Sequence, residues 1–394
     1  MQTAQSLTQF RESVIRDMTR LAMKHGAINM AQGFPDFGTN EVVTEAAVRA
    51  IRDGINQYTV TWGYPPLRQK LAELYTERLG WPVDPDVHVT VTCGVSEAIM
   101  SAVMAVLNPG DEIIILEPAH ENFRPAIILA NAVPISVPLD EKSYRIDPER
   151  IAAAITPRTK AILLNTPHNP TGRVFNHEEL EGVIELVLEH DLVLMTDEIY
   201  DRILYDGRSH LSPGSLEPLQ DRTITMSGLG KSYAITGWRL GHVIAPTRLA
   251  KAVRPVHDFM TICAATPLQA AAVAALELPQ SYYEQMRQDY ELRRVLMMEI
   301  LATAGLAAVP PEGAYYVMAD YSQLDISQAQ LTSMPFAEWM TTEVGVAVVP
   351  GESFYSLEGY GRHSIRFAFC KKLETLEAAA ARMKAMFGYG TYTA

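Results

Sequence analysis

An α/β fold with a mostly parallel sheet is the prediction for this chain of 394 residues. Between residues 90 and 245, short apolar runs alternate with longer segments of helical periodicity, which is typical of parallel strands joined by crossover helices. From about residue 289 the pattern changes to a long helix, isolated strands and a final helix. Because the chain is long for one core, we expect a large domain with a smaller one attached.

Four buried strands are predicted in the large domain, each a short apolar run that ends in a polar or turn-forming residue. They lie at residues 112–117, 160–165, 192–197 and 223–226. Ligands of open α/β sheets collect at the carboxyl ends of the strands, so the residues after these runs are the candidates for chemistry. Helices are predicted at residues 94–107, 178–190 and 267–301, the last broken around Leu278-Pro279.

The change in pattern also sets the domain boundaries. Residues 46–288 are assigned to the large domain, and residues 1–45 together with 289–394 to the small, α+β domain. In the small domain, strands are predicted at 315–319, 347–349 and 364–368, and a final helix ends near Met386.

Charge and composition favour small-molecule chemistry. A net charge of -13 repels nucleic acid and anionic lipid, and no stretch reaches the roughly 18 uninterrupted apolar residues of a membrane helix. Residues 1–18 lack an apolar signal segment. Cys93, Cys263 and Cys370 are widely spaced, which indicates neither disulfides nor a metal site. We therefore expect a cytoplasmic enzyme without a nucleic-acid, membrane or metal partner.

The strongest chemical signal is Lys231, which follows a Gly/Ser-rich turn and precedes Arg239 by eight residues. A pyridoxal phosphate enzyme needs this combination: an amine that forms a Schiff base, small residues that admit a phosphate, and a guanidinium that holds it. A single Gly-x-Gly-Lys is more often a surface lysine on a solvated turn, so the prediction depends on the other motifs.

Asp197 closes an apolar strand, so its carboxylate is expected at low dielectric, where only a paired charge is tolerable. A protonated pyridine nitrogen is such a partner, and it makes the ring an electron sink. Tyr200, three residues on, is within reach of the cofactor's phenolic oxygen. The alternative for Asp197 is a cap on a following helix.

The loop of residues 165–172 has the sequence Asn-Thr-Pro-His-Asn-Pro-Thr-Gly. Its prolines and glycine make it tight, and it aims Asn169 at the pocket of Asp197. The Asn169 amide can donate to the phenolic oxygen and to a substrate carboxylate. His168 is interpreted as a neighbour that shapes the backbone rather than as a catalytic group.

Anion-binding groups complete the predicted site. Gly94, Val95 and Ser96 lie at a strand-to-helix turn, where free N–H groups and the helix dipole bind an anion, and Arg239 adds a bidentate clamp. Arg366 stands in an apolar strand and must be paired, either by a substrate α-carboxylate or by an internal salt bridge.

Taken in order, these motifs resemble those of the class I/II aminotransferases of fold type I. The resemblance covers residues 28–387 and includes the Gln-Gly-Phe-Pro-Asp segment at 32–36, Tyr58 and the motifs above. The Gly-Phe-Pro-Asp-Phe, Asn-Gln-Tyr-Thr and Gly-Tyr-Pro-Pro-Leu-Arg segments are most similar to the branch of kynurenine, glutamine and methionine transaminases.

This resemblance implies a mostly parallel seven-stranded sheet flanked by helices, and pyridoxal 5'-phosphate carried on Lys231. It implies a homodimer with shared active sites, in which Tyr58 reaches the partner subunit's phosphate. It assigns Gly33, Asn169 and Arg366 to substrate binding.

Two positions depart from the family's pattern. His120 stands where relatives have an aromatic residue that stacks on the cofactor ring. Gly228 stands where relatives often carry a phosphate-binding hydroxyl, and Ser227 is the candidate that supplies it instead.

The predicted activity is transfer of an amino group between an L-amino acid and a 2-oxo acid by a ping-pong mechanism, with Lys231 as proton shuttle. The alternatives are β-elimination on the same cofactor and a non-catalytic regulator, which would need a DNA-binding extension. Candidate pocket walls favour an aromatic, amide or other bulky neutral side chain; they are Phe34, Trp62, Tyr64, Tyr315 and Tyr316. Since no second arginine can be placed facing a distal carboxylate, dicarboxylate specificity is disfavoured.

Overall fold

The computed structural model of the chain describes residues 4–388, so residues 1–3 and 389–394 of the predicted small domain lie outside the described part. The α-helices are α1 (Val14–His25), α2 (Glu41–Arg52), α3 (Pro65–Leu79), α4 (Val95–Val106), α5 (Phe123–Leu129), α6 (Pro148–Ala154), α7 (His177–Glu189), α8 (Thr247–Thr261), α9 (Thr266–Leu276), α10 (Gln280–Thr303), α11 (Ser333–Trp339) and α12 (Leu373–Phe387). The strands are β1 (Ile28–Asn29), β2 (Val89–Thr92), β3 (Glu112–Glu117), β4 (Val133–Pro138), β5 (Thr159–Asn165), β6 (Val193–Asp197), β7 (Thr223–Gly228), β8 (Gly241–Ile244), β9 (Ala307–Ala308), β10 (Tyr316–Asp320), β11 (Val346–Ala347), β12 (Val349–Pro350) and β13 (Ser364–Ala368).

A seven-stranded sheet forms the centre of the chain, with the strand order β2-β8-β7-β6-β5-β3-β4. Strands β3 to β7 pair in parallel, and β8 runs antiparallel to both of its neighbours. The predicted mostly parallel sheet is therefore confirmed. Its parallel strands bring the ends of β5, β6 and β7 to one edge.

Both faces of this sheet are buried, which explains why its strands are continuous apolar runs. In β3, Ile113 and Ile115 pack with residues of α4, α5 and α8 on one face. Ile114 and Leu116 pack with residues of α6 and α7 on the other. The alternation of side chains along each strand thus builds two cores from one run.

Helix ends follow their capping residues. The side chain of Ser13 accepts a hydrogen bond from the Arg16 N–H at the start of α1, which ends at Gly26 in the left-handed conformation (φ 63°). At the start of α7, Asn176 and Glu179 form a reciprocal capping box. These contacts fix the first residues of α1 and α7 and the last residue of α1.

The C-terminal half contains a four-stranded antiparallel sheet in the order β12-β13-β10-β9, and β1 pairs with β11 in a separate two-stranded sheet. The single strand predicted at 347–349 is wrong, because β11 and β12 flank Val348 and pair with different partners. The helix predicted at 267–301 is present as α9 and α10, interrupted at Leu278 and Pro279 as expected. Helix α10 passes without a break through the predicted domain boundary at 288, which stays a prediction.

Candidate active site

A cleft of about 190 Å³ lies at the carboxyl edge of the seven-stranded sheet. It gathers most of the residues that the sequence singled out, although they come from six separate segments. The predicted residues that line it are Gly94, Val95, Ser96, His120, Asn169, Asp197, Tyr200, Lys231 and Arg239.

Lys231 lies in the turn after β7, with its amine buried between two tyrosine rings. Its Nζ donates a hydrogen bond to the Gly33 carbonyl at 3.1 Å and lies 5.6 Å from the ring centres of both Tyr200 and Tyr315. Burial lowers the pKa of Lys231 to about 8. The amine is therefore mostly protonated near physiological pH, with an appreciable neutral fraction that can act as a nucleophile.

Asp197 ends β6, and its carboxylate is buried. It accepts a hydrogen bond from the Ile199 N–H at 3.2 Å. Residues 199–202 form a turn rather than a helix, so the helix-cap alternative is wrong. Burial raises the pKa of Asp197 to about 7, opposed by the Ile199 N–H and by the charge of Lys231. A cation placed against this carboxylate would restore its ionised form, which suits a protonated ring nitrogen.

The start of α4 and Arg239 together form a cradle for an anion. The first-turn N–H groups of Val95 and Ser96 have no intrahelical acceptor, and the helix dipole is positive at this end. Gly94 has a φ of 78°, and a Cβ added there would overlap the Arg239 guanidinium. Arg239 is itself held by a 3.0 Å hydrogen bond to the Thr236 carbonyl. The backbone and guanidinium donors thus converge on one position, as a phosphate requires.

Arg366 of β13 is buried, and it reaches from the C-terminal sheet to Asn169, which lines the cleft. It donates to the side-chain carbonyl of Asn169 at 2.9 Å and to the backbone carbonyl of Ala31 at 2.6 Å. Its guanidinium lies 4.3 Å from the Tyr316 ring centre, and its Nε is buried without a partner. Within residues 4–388 it forms no ion pair with a carboxylate, so the internal salt-bridge alternative is wrong.

The N-terminal segment reaches the cleft through the backbone of Gly33. Its carbonyl accepts hydrogen bonds from Lys231 and from the Tyr315 hydroxyl, the latter at 3.0 Å. A Cβ at Gly33 would overlap the hydroxyl of Tyr316, so only glycine fits this approach. The Tyr316 hydroxyl in turn lies 3.0 Å from that of Tyr200.

His120 follows β3 and is in a desolvated position. Burial lowers the pKa of His120 to about 3, and the charges of Arg366 and Lys231 act in the same direction. Its Nδ1 accepts a hydrogen bond from the Asn122 N–H at 3.3 Å. The imidazole is therefore neutral, with its proton on Nε2.

Ser227 is not placed in the cleft, which contradicts its predicted role. Strand β7 continues to Gly228, and its pleat directs the Ser227 hydroxyl to the Glu198 carbonyl at 3.1 Å. Thr236 lines the cleft instead, beside Arg239. Thr236 could have been predicted as a cleft residue, because it lies in the same short sequence run as Lys231 and Arg239.

Four other predicted positions are not among the residues that line the cleft. Gly33 and Arg366 contact the lining residues Lys231 and Asn169, whereas Tyr58 and His168 lie further away. Tyr58 is 77% exposed and does not line the cleft of its own chain. His168 is buried, with its Nδ1 2.7 Å from the Thr171 hydroxyl, in keeping with a backbone-shaping role. Asn165 and Asn122, which were not predicted, do line the cleft.

Residues 25–383 match the family described as aminotransferase class I and II. The chain belongs to this family. This aminotransferase is 35% identical to kynurenine–oxoglutarate transaminase 1 of Mus musculus, over 93% of each chain. It is 33% identical to the methionine aminotransferase of Escherichia coli strain K12, over 96% of this chain and 97% of the relative. The solved N-succinyldiaminopimelate aminotransferase of Mycobacterium tuberculosis has a TM-score of 0.93 at 32% identity, over 98% of this chain and all of that one.

Class I and II aminotransferases use pyridoxal 5'-phosphate, and the residues of the cleft fit this cofactor. The α4 cradle with Arg239 would hold its phosphate, and Asp197 would pair with its ring nitrogen. Lys231 is placed between them. When bound, the cofactor supplies an aldehyde for amine exchange and a ring that withdraws electrons from the substrate α-carbon.

Neither a metal centre nor a membrane span emerges from the described residues. No group of three or more His, Cys, Asp or Glu side chains in the range 4–388 is placed to hold a metal ion. In the same range, no helix combines the length and apolarity needed to cross a bilayer.

Proposed function

We propose that this aminotransferase exchanges amino groups between an L-amino acid with an aromatic, amide or other bulky neutral side chain and a 2-oxo acid, in two half-reactions at one cleft. The observation that carries this proposal is the buried pair of Arg366 and Asn169. It offers a buried guanidinium without a carboxylate partner, held against Asn169, and Asn169 lines the cleft that also contains the Lys231 amine.

The side chains divide the work of each half-reaction. Arg366 binds the α-carboxylate that donor and acceptor share, and Asn169 fixes the orientation of the guanidinium. The Lys231 amine moves a proton to and from the substrate α-carbon, which its lowered pKa allows. Asp197 stabilises positive charge at the ring nitrogen, and Tyr200 lies beside Lys231 to donate to the cofactor's oxygen.

An aromatic cluster at the cleft, of which Tyr200 lines the wall, supports a neutral donor. The rings of Tyr200, Tyr315 and Tyr316 cluster within 5.6 Å of one another, centre to centre. Flat apolar faces stabilise aromatic and thioether side chains. The names of two relatives support the same class of donor, kynurenine and methionine, and one of them supports oxoglutarate as the acceptor.

A panel of amino donors against several 2-oxo acids tests this proposal. We expect neutral aromatic, amide and thioether donors to give the highest kcat/KM, with formation of one new amino acid for each 2-oxo acid consumed. The β-elimination alternative would instead release ammonia with no dependence on a 2-oxo acid. Loss of amino transfer for every neutral donor would contradict the proposal.

We also propose that the protein is a homodimer with shared active sites. An exposed apolar patch supports a second copy as the partner, and Phe259 is 93% exposed within it. This interface patch consists of Tyr58, Val60, Phe259, Met260 and Ile262.

The interface patch is one surface that adjoins the anion cradle. His257 Nε2 lies 2.7 Å from the Thr61 carbonyl, which joins the two segments of the patch. The Nδ1 of His257 also lies 2.6 Å from Glu97, in the first turn of α4. A second copy on this surface would therefore bring its Tyr58 close to the cradle.

Phe259→Lys tests the dimer, because a buried unpaired charge would break the interface. We expect a monomer in sedimentation, with reduced amino transfer. Met23→Lys is the matched control, since Met23 is exposed on α1 outside the patch. An unchanged assembly in Phe259→Lys, or a monomeric wild type, would contradict the dimer.

A cytoplasmic location is the last part of the proposal. The free thiols of Cys93, Cys263 and Cys370 support a reducing compartment. Cell fractionation checks it, and recovery in a secreted or membrane fraction would contradict it.

A further inference from the structure

The hydroxyls of Tyr200 and Tyr316 form a buried pair at the edge of the active-site cleft. Their oxygens lie 3.0 Å apart, and both side chains are buried. Tyr200 lines the cleft, whereas Tyr316, the first residue of β10, is not among the lining residues. Tyr316 can therefore affect the cleft only through the groups that it contacts.

The position of the Tyr316 hydroxyl is fixed from two directions. Its oxygen packs so closely on the backbone of Gly33 that a Cβ there would overlap it. The Arg366 guanidinium covers the face of the ring, 4.3 Å from its centre. Because the ring cannot move away from either neighbour, its hydroxyl stays within hydrogen-bond distance of Tyr200.

The number of protons decides which phenol donates to the other. Tyr200 has one hydroxyl proton, and a hydrogen bond to the cofactor's phenolic oxygen uses it. The proton shared by the two phenols must then come from Tyr316. The Gly33 carbonyl does not compete for this proton, because its two lone pairs already accept hydrogen bonds from Lys231 and Tyr315.

The charges around the pair favour the same direction of donation. Burial raises the pKa of both phenols. At Tyr316 the positive charge of Arg366 is the main effect that opposes this rise. At Tyr200 the negative charge of Asp197 adds to the rise. Tyr316 is therefore favoured as the donor of the pair and Tyr200 as the acceptor.

We propose that Tyr316 is a positioning residue, which donates its hydroxyl proton to Tyr200 and so makes Tyr200 a stronger donor to the cofactor's phenolic oxygen. This inference rests on the proposed function, because it assigns a role in the same reaction to a residue outside the cleft lining. Hydrogen bonds in a chain polarise one another, so the bond that Tyr200 accepts strengthens the bond that it donates.

The predicted consequence concerns the proton on the nitrogen that joins Lys231 to the bound cofactor. A strong donor at the phenolic oxygen stabilises negative charge there and reduces its attraction for this proton. Without Tyr316, the oxygen attracts the proton more strongly. The nitrogen should then keep its proton to a higher pH, which the visible absorption of the cofactor reports.

Tyr316→Phe in the holoenzyme tests the inference, with Tyr321→Phe as the matched control. Phenylalanine keeps the ring against Arg366 and removes only the hydroxyl. Tyr321 is also buried, and its hydroxyl donates to the Leu331 and Arg362 carbonyls rather than to a cleft residue. In a pH titration of the visible band, Tyr316→Phe should raise the midpoint by about 0.3 to 0.6 pH unit. The control should leave this midpoint unchanged while its unfolding temperature falls.

A double-variant cycle shows whether Tyr316 acts through Tyr200. Tyr200→Phe alone should raise the midpoint by at least about one pH unit, because it removes a hydrogen bond to a charged oxygen. Addition of Tyr316→Phe to that variant should cause no further rise, since the residue through which Tyr316 acts is then absent.

The outcomes separate this inference from the proposed function. An unchanged midpoint in Tyr316→Phe would overturn the inference, and a lower unfolding temperature without a shifted midpoint would show that the hydroxyl is only structural. An equal rise in the presence and absence of the Tyr200 hydroxyl would also overturn it. If the midpoints shift as expected but no 2-oxo acid accepts an amino group, the proposed function fails and the role of Tyr316 stands.

Discussion

The side-chain carbonyl of Asn169 accepts a 2.9 Å hydrogen bond from the Arg366 guanidinium. This contact joins the loop after β5, in the central sheet, to β13, in the C-terminal sheet. Asn169 is itself held by a 2.7 Å hydrogen bond from its N–H to the Asn165 side chain. The Arg366 guanidinium is therefore positioned by the loop after β5, next to the strand end that carries Asp197.

Arg366→Lys should weaken binding of amino acids and 2-oxo acids alike. A lysine keeps the charge but cannot contact Asn169, Ala31 and a carboxylate at once, because it lacks the planar fork. We expect KM for both substrate classes to rise at least about tenfold, which corresponds to roughly 1.4 kcal/mol. A large fall in the unfolding midpoint with unchanged KM would show a structural role instead.

Lys231→Ala should abolish amino transfer and leave the fold intact. The amine is buried and its pKa is lowered to about 8, so its removal relieves desolvation rather than removing a stabilising ion pair. The variant should lose the visible absorption of the bound cofactor, and borohydride should no longer attach the cofactor covalently to the protein. Substantial turnover together with retained borohydride trapping would disprove the assignment of this lysine.

Asp197→Ala should lower kcat strongly, because the substitution removes the charge that keeps the ring nitrogen protonated. Asp197→Glu should be milder, since it keeps a carboxylate near the same position. Turnover and the absorption spectrum measure both effects. A decrease of less than about tenfold for the alanine variant, roughly 1.4 kcal/mol, would mean that Asp197 mainly stabilises the turn through its bond to Ile199.

The sequence best predicted those strands and site residues whose positions depend on one short segment of the chain. Strand β3 occupies its predicted residues, 112–117, because a run of isoleucines buried on both faces is a strong local signal. The Lys231 run and the Asn169 loop are likewise short segments whose glycines and prolines restrict the backbone. Their residues meet in the cleft because parallel strands end at one edge.

The sequence was a poor guide to strands and side chains whose positions depend on contacts with residues far away in the chain. Strands β11 and β12 have two residues each and carry no periodicity, so their separate pairings follow only from tertiary contacts. The start of α1 is placed by its contact with Glu121, more than a hundred residues away in the chain. The misassignment of Ser227 has a local cause, since β7 continues two residues past its predicted end at Met226 and its pleat directs the Ser227 hydroxyl to the Glu198 carbonyl.

Gly94→Ala should weaken cofactor binding without unfolding the protein. A Cβ at this position would overlap the Arg239 guanidinium, and the φ of 78° disfavours any side chain. Displacement of Arg239 removes a donor from the anion cradle. We expect the dissociation constant for pyridoxal phosphate to rise at least about tenfold. Gly110→Ala is the control, because it also has a positive φ but open space around its Cβ, and unchanged cofactor affinity in Gly94→Ala relative to it would contradict the cradle.

His120→Phe tests the neutral imidazole through the pH dependence of stability. The folded-state pKa of His120 is lowered from 6.5 to about 3, so between these values the unfolded chain binds a proton that the folded protein does not. Stability is therefore lost as the pH falls through this window, by up to about 1.4 kcal/mol per pH unit from this residue. His120→Phe should make the loss shallower by that amount, and substitution of the exposed His190 by Gln should not. Denaturant midpoints at pH 7, 6 and 5 measure the difference, and parallel slopes in wild type and His120→Phe would show that His120 is protonated in the folded protein.

The same variant tests whether His120 only stacks on the cofactor ring. If stacking is its only role, His120→Phe should keep the ratio of kcat/KM between a polar and an aromatic donor, whereas a lower ratio would reveal a hydrogen bond from the imidazole to the substrate.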